Sequence, residues 1–145
     1  MSRALRRRAI LLAFVGLLIG TFAVISGMSS PWRDALREVV GFRRVEIYGE
    51  ELHLAASEQG LEPALLAAVV YVESTGRLDA VSSAGAMGLM QLMPAAASDA
   101  SKALGVPVPS EEMLLSDAEL NIRLGARHLA WTLNAEGGDL ERALV

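Results

Sequence analysis

Apolar and polar positions along the chain follow three different rhythms. Residues 9–28, AILLAFVGLLIGTFAVISGM, hold no charge and stop at Ser29, Ser30 and Pro31. Twenty helical residues span about 30 Å, the thickness of a bilayer's hydrocarbon core, so the run predicts one N-terminal transmembrane helix. In residues 29–44, SSPWRDALREVVGFRR, Trp32, Leu36, Val39 and Val40 recur at helical spacing behind Pro31, which predicts a short amphipathic helix capped at Ser30. From Val45 the rhythm is that of a helical core: Ile47 or Tyr48, Leu52, Ala55 and Ala56 share one face of a helix over 45–59, and Gly60 stops it. Pro63 opens the next helix beside Glu62, an acid placed to complement the helix dipole.

That next helix is nearly continuous in apolar residues. Eight of the nine residues from Leu65 to Glu73 are Leu, Ala, Val or Tyr, and the ninth is the acid itself. Such a run predicts packing on two or more sides, with Glu73 held at the rim of a core. A carboxyl that loses solvation keeps its proton more readily, the property a general acid needs. Gly76 ends the helix, a polar turn runs to Ser83, and Gly85 and Gly88 let the backbone pass close to a ligand or another helix. Met87, Leu89, Met90, Leu92 and Met93 read as core, whereas Gln91 is an amide in an apolar run and must find hydrogen-bond partners.

Further helices follow: Ala95–Leu104 closed by Gly105, then, after a loop over 106–112 that leads to an N-cap at Ser110, a long one starting near Asp117. In the long one Leu120, Ile122, Leu124, Leu129 and Leu133 recur, Gly125 permits close packing, and Gly137 and Gly138 stop it before a last helix begins at Asp139. No stretch beyond the first thirty residues alternates with period two, so the fold class is all-α.

Charge sets the orientation. Arg3, Arg6, Arg7 and Arg8 precede the apolar run and favour an N-terminus in the cytoplasm, which puts the remainder on the periplasmic or other extracytoplasmic side of the cytoplasmic membrane. Beyond those arginines nine Lys and Arg face seventeen Asp and Glu, a net charge near −8 that argues against nucleic acid as a partner. A cleaved signal peptide is the competing reading of the N-terminus, but its apolar region usually measures about 7–15 residues and ends in a small-x-small site, which is poorly matched here. The sequence has no cysteine, so neither disulfides nor lipoprotein processing is available. His53 reads as a surface residue, and no second His, Cys or acid stands at metal-ligand spacing, so neither a metal site nor a cofactor is expected.

Glu73-Ser74 at a helix end, Ser82, the run Gly85-Ala86-Met87-Gly88-Leu89-Met90-Gln91, and Pro94 together resemble the SLT-type lytic transglycosylases of bacterial cell walls. Glu119, Asn121, Ile122, Gly125 and Leu129 match a later helix of that family, so the resemblance covers about residues 45–145. It implies a lysozyme-like helical domain that cleaves peptidoglycan between N-acetylmuramic acid and N-acetylglucosamine. The glutamate matching Glu73 would act as acid and then base, and the product would be a 1,6-anhydro ring. It further implies a substrate groove to which Ser74, Ser82, Gly88, Leu89, Met90, Gln91 and Met93 contribute, with peptidoglycan glycan strands as the partner. The chain departs from the family pattern at Gly76, often aromatic there, at Leu78, often proline, at Ala96, often threonine, and at His128, often tyrosine. The family's AYN-type motif is absent, which makes the domain read as C-terminally truncated.

The expected layout is a basic cytoplasmic stretch (1–8), a signal anchor (9–28), a juxtamembrane stalk (29–44) and the catalytic domain (45–145). Hydrolytic glycosidases commonly place two carboxylates about 5–9.5 Å apart. Near Glu73 in sequence there is only Asp79, in a polar turn, so a reaction in which the substrate supplies its own nucleophile fits better. A muramidase of the same fold that uses water, and a non-catalytic peptidoglycan-binding protein, are the alternatives.

Overall fold

A computed structural model describes residues 31–137, with side chains from Glu38 onward. The apolar run at 9–28, the Ser30 cap and the helix expected from Asp139 lie outside the described residues. The elements are α1 (Pro31–Glu46), α2 (Gly49–Gln59), α3 (Pro63–Ser74), α4 (Pro94–Leu104), α5 (Glu111–Ser116) and α6 (Ala118–Ala135). Among the described residues there is no strand beyond two isolated antiparallel bridges, Val81–Met87 and Met87–Leu92, and no helix is long and apolar enough to cross a membrane.

One boundary differs from the sequence pattern. The helix expected over 45–59 begins only at Gly49, because α1 runs on to Glu46 and the chain turns at Ile47–Tyr48 with Tyr48 N–H donating to the Val45 carbonyl at 3.0 Å. The turn lets Val45 and Leu52 both reach the core from two helix axes, while Ile47, assigned to the buried face as an alternative to Tyr48, is 70 % exposed. Burial also lifts the Tyr48 phenol above its ordinary pKa, helped by the negative charges of Glu51 and Asp79.

From Val39 onward the residues form one compact unit. Its centre is α6, whose Ile122, Leu124, Ala126, Leu129 and Ala130 are buried and which packs against α2, α4 and α5. Its N-terminus is capped by Asp117, whose carboxylate accepts from Leu120 N–H at 3.0 Å, and Ser110 caps α5 in the same way through Met113 N–H at 3.2 Å. Arg123 Nε donates to Glu58 at 2.8 Å across α6 and α2, and that bond holds the guanidinium above its usual pKa. Both partners are solvent-accessible, so the pair adds orientation more than stability.

Helix α3 is less enclosed than its composition implies. Leu66, Val69, Val70 and Ser74 are buried, but Ala64 and Ala68 are exposed and Val72 is 78 % exposed. One side of α3 is met by the last turns of α1: Gly41 lies so close that a Cβ there would meet Thr75 Cγ2 at 2.5 Å and Tyr71 Cε2 at 2.7 Å, and Phe42 stacks on Tyr71 with ring centroids 4.5 Å apart. Arg44 of α1 occupies the space beside Gly76, which accounts for the absence of an aromatic side chain at that position. The helix stops where Thr75 and Gly76 turn to positive φ, 55° and 68°.

Candidate active site

Glu73 follows Leu66, Val69 and Val70 at the helical spacing that buries them, but it stands on the last turn of α3, where the helix has run past the core. Its side chain is therefore exposed, at the mouth of an open groove of about 220 Å³, and not desolvated as the apolar run implies. Leu66, Val69 and Val70 face the core, while Glu73, one turn further on, is left exposed at the helix end. Around it the groove is lined by Met90, Gln91, Met93, His128 and Thr132, over a floor that includes Val69, Leu92 and Leu129. Glu73 is the sole carboxylate among the described residues that line it. Asp79 is exposed and does not line the groove. Among the described residues no group of three or more His, Cys, Asp or Glu is placed to hold a metal ion.

The far wall is the loop between α3 and α4, folded into a double turn. Ser82 N–H donates to the Ala86 carbonyl at 2.9 Å, Ala86 N–H returns to Ser82 Oγ at 3.0 Å, and Met87 and Leu92 exchange two backbone bonds at 2.9 and 3.0 Å. Gln91 sits at the apex with φ of 45°, in the left-handed region a non-glycine residue seldom occupies. Its amide nitrogen holds it there by donating to the carbonyls of Gly88, at 3.0 Å, and Ala80, at 3.2 Å. This leaves the amide oxygen without a partner among the described residues, on a side chain that lines the groove.

Beneath the loop lies a residue whose weight the pattern of apolar positions does not convey. Asn121 of α6 is fully buried; its Oδ1 accepts from Met90 N–H at 2.9 Å and its Nδ2 donates to Met87 O at 3.1 Å and Leu114 O at 3.0 Å. Gly88, at φ of 77°, has to be glycine both for its backbone and because a Cβ would run into the Asn121 amide and the Leu114 carbonyl. Gly125 performs the matching service one turn later, since a Cβ there would meet Met90 Cβ and Cγ at 2.5 Å. Gly125→Ala is expected to displace Met90 and to lower the unfolding free energy by about 1–3 kcal/mol, the usual range for overpacking, read from a urea melt.

Of the residues singled out in the sequence, the structure brings Glu73, Met90, Gln91 and Met93 to one groove. Four others support it from behind. Ser74 is buried, with its hydroxyl donating back to the Val70 carbonyl at 3.0 Å, Leu89 is fully buried in the core, Gly88 is pressed on Asn121, and Ser82 braces the turn at 82–86. Sequence reasoning assigned no site role to His128 and Thr132, although their spacing with Gly125 and Leu129 is that of one helix face, the signal that would have placed them opposite Glu73.

The transglycosylase SLT domain family matches residues 52–145, a span that holds Glu73, the glycine loop and Asn121 together. The chain belongs to the SLT family. The SLT domain here is 49 % identical over 57 residues to a transglycosylase of Enterobacteria phage PRD1, covering 39 % of this chain and 20 % of that protein. It is 35 % identical over 77 residues to the endo-type membrane-bound lytic murein transglycosylase A of Klebsiella pneumoniae, covering 52 % of this chain and 38 % of the relative. The chain thus spans well under half the length of the curated relatives it matches. Among solved structures, lytic transglycosylase Slt of Pseudomonas aeruginosa, determined as an inactive glutamate-to-glutamine mutant, superposes with a TM-score of 0.58 at 36 % identity over 62 % of this chain and 14 % of that one. The 70 kDa soluble lytic transglycosylase of Escherichia coli gives 0.61 at 28 % identity over 66 % of this chain and 16 % of that one. The helical architecture is the lysozyme-like SLT fold.

Proposed function

We propose that this SLT domain is the catalytic part of a peptidoglycan lytic transglycosylase, anchored in the cytoplasmic membrane through residues 9–28 and acting on its outer side. The observation that carries the chemistry is the solitary carboxylate: among the described residues that line the groove, Glu73 is the one carboxyl group that can give a proton and take it back. With no second carboxylate among the described lining residues to serve as nucleophile or to activate water, the substrate's own hydroxyl is the simplest nucleophile.

In this reading Glu73 gives its proton to the glycosidic oxygen as the bond from the muramic acid anomeric carbon breaks, releasing the N-acetylglucosamine 4-hydroxyl. The carboxylate then accepts the proton of the muramic acid 6-hydroxyl as that oxygen closes on the same carbon, so Glu73 ends as it began and no water is consumed. A seated glycan strand would itself cover the exposed carboxyl, with the Gln91 amide oxygen accepting from a sugar hydroxyl and Met90 and Met93 against the apolar ring faces. The name of the Klebsiella relative, a membrane-bound murein transglycosylase, supports both the substrate and the anchoring. The inactive glutamate-to-glutamine form of the Pseudomonas relative supports reliance on one acid.

The experiment is mass spectrometry of the fragments released from purified sacculi. Anhydro ends lighter than hydrolysed ends by one water are expected; reducing ends would replace this reading by a muramidase of the same fold. Soluble fragments absent altogether, with the protein still sedimenting with sacculi, would favour a glycan-binding role.

A further inference from the structure

A second hollow of about 220 Å³ lies between α4 and α6, lined by Asp99, Ala100 and Ala103 on one side and Arg127 and Trp131 on the other. Ala96 and His128 line both this hollow and the Glu73 groove, so the two adjoin at those residues. Trp131 is 58 % exposed, and His128 stacks beside it at a centroid distance of 6.0 Å with the rings 28° apart. A large aromatic left open on a helix that buries Leu124, Ala126, Leu129 and Ala130 contributes little to the core it borders.

Resting on the reading of the Glu73 groove as glycan-binding, we propose that the hollow is a remote subsite for the same strand, with Trp131 as a platform for a pyranose ring. The C–H face of a pyranose is apolar and its hydrogens are electron-poor, which suits the negative face of an indole ring. Its hydroxyls need donors and acceptors at the rim. Arg127 supplies donors and has no ion pair among the described residues, while Asp99, held by Lys102 at 3.1 Å, supplies an acceptor. An apolar floor with a few convergent polar groups is the usual composition of a small-molecule site. The floor here is alanine, Ala96, Ala100 and Ala103, which leaves room for a ring where larger side chains would fill the hollow. Because the hollow adjoins the Glu73 groove at Ala96 and His128, one strand can reach both places, and the subsite acts through strand length: binding far from the reacting bond holds that bond in register.

The test compares glycan oligosaccharides long and short enough to reach, or fail to reach, beyond His128. Their affinities are measured by calorimetry on the full chain carrying Glu73→Gln, so that nothing is turned over. Trp131→Ala is expected to reduce the ratio of long-strand to short-strand affinity by about tenfold, the equivalent of one remote contact of roughly 1.4 kcal/mol, and Trp131→Phe to recover most of it. An unchanged ratio in a Trp131→Ala protein with wild-type helicity and melting temperature overturns the subsite while leaving the Glu73 groove intact. If strands of neither length bind the Glu73→Gln protein itself, the glycan reading fails and the subsite with it. A drop in ratio that Trp131→Phe does not recover would point to lost packing against His128 and also overturns the platform.

Discussion

Glu73→Gln is expected to cut the release of soluble fragments from sacculi by about 10²–10⁴-fold, the range in which a positioned acid–base group contributes to rate. The substitution keeps the shape of the side chain and removes its capacity to give a proton. Because Glu73 is exposed and makes no hydrogen bond among the described residues, stability should change by no more than about 0.5 kcal/mol, as for other surface positions. A loss of rate without loss of stability separates a catalytic from a structural role. Asp79→Asn is the control. It removes a carboxylate six residues away in sequence that is equally exposed and outside the groove, and it should leave the rate close to wild type. Activity surviving in Glu73→Gln would remove the acid from the mechanism, and activity lost in Asp79→Asn would restore a two-carboxylate hydrolase as the better reading.

The position of that acid was legible in the sequence, but its environment was not. Helical spacing from Leu66 through Val69 and Val70 to Glu73 fixes the direction of the side chain, and the stop at Gly76 fixes it near a helix end. Whether an end overhangs the core or is enclosed by it depends on which elements pack around it, information that a run of nine residues does not contain. The same division holds elsewhere. The cap at Ser110, the helix start near Asp117 and the stops at Gly60 and Gly105 are local, set by side-chain and backbone bonds within a few residues, and they were readable. The break at Ile47–Tyr48 carries no proline, and it arises because Val45 and Leu52 serve one core from two directions. Gln91 was recognised as an amide in need of partners. That its nitrogen would be consumed by Gly88 and Ala80, leaving the oxygen without a partner among the described residues, required the fold of the loop. His128 and Thr132 complete the groove from an element more than fifty residues after Glu73, and only packing joins them.

Asn121→Ala is expected to be the most destabilising single change, at about 3–5 kcal/mol, because it takes the partner from the Met90 N–H and the Asn121 donor from the Leu114 carbonyl in the interior, each at a cost of about 1–3 kcal/mol, and leaves the Met87 carbonyl with the Leu92 N–H alone. A cavity adds to the loss, so Asn121→Leu is the informative companion: it restores volume without restoring any of the three bonds. If hydrogen bonding dominates, both variants shift the urea midpoint downward with an unchanged slope, and Leu recovers only the smaller, cavity part. The functional consequence follows from where the bonds lead. Met87 and Met90 bracket Gly88 and precede Gln91, so releasing them loosens the loop that forms the wall facing Glu73 and leaves the strained φ at Gln91 held only by bonds within that loop. Fragment release should therefore fall further than the folded fraction at the same temperature. A variant that loses less than about 1 kcal/mol, the net worth of one ordinary hydrogen bond, would show that the loop holds itself without α6. The glycines at 88 and 125 would then need another explanation, since both exist to let that loop rest on Asn121 and its helix.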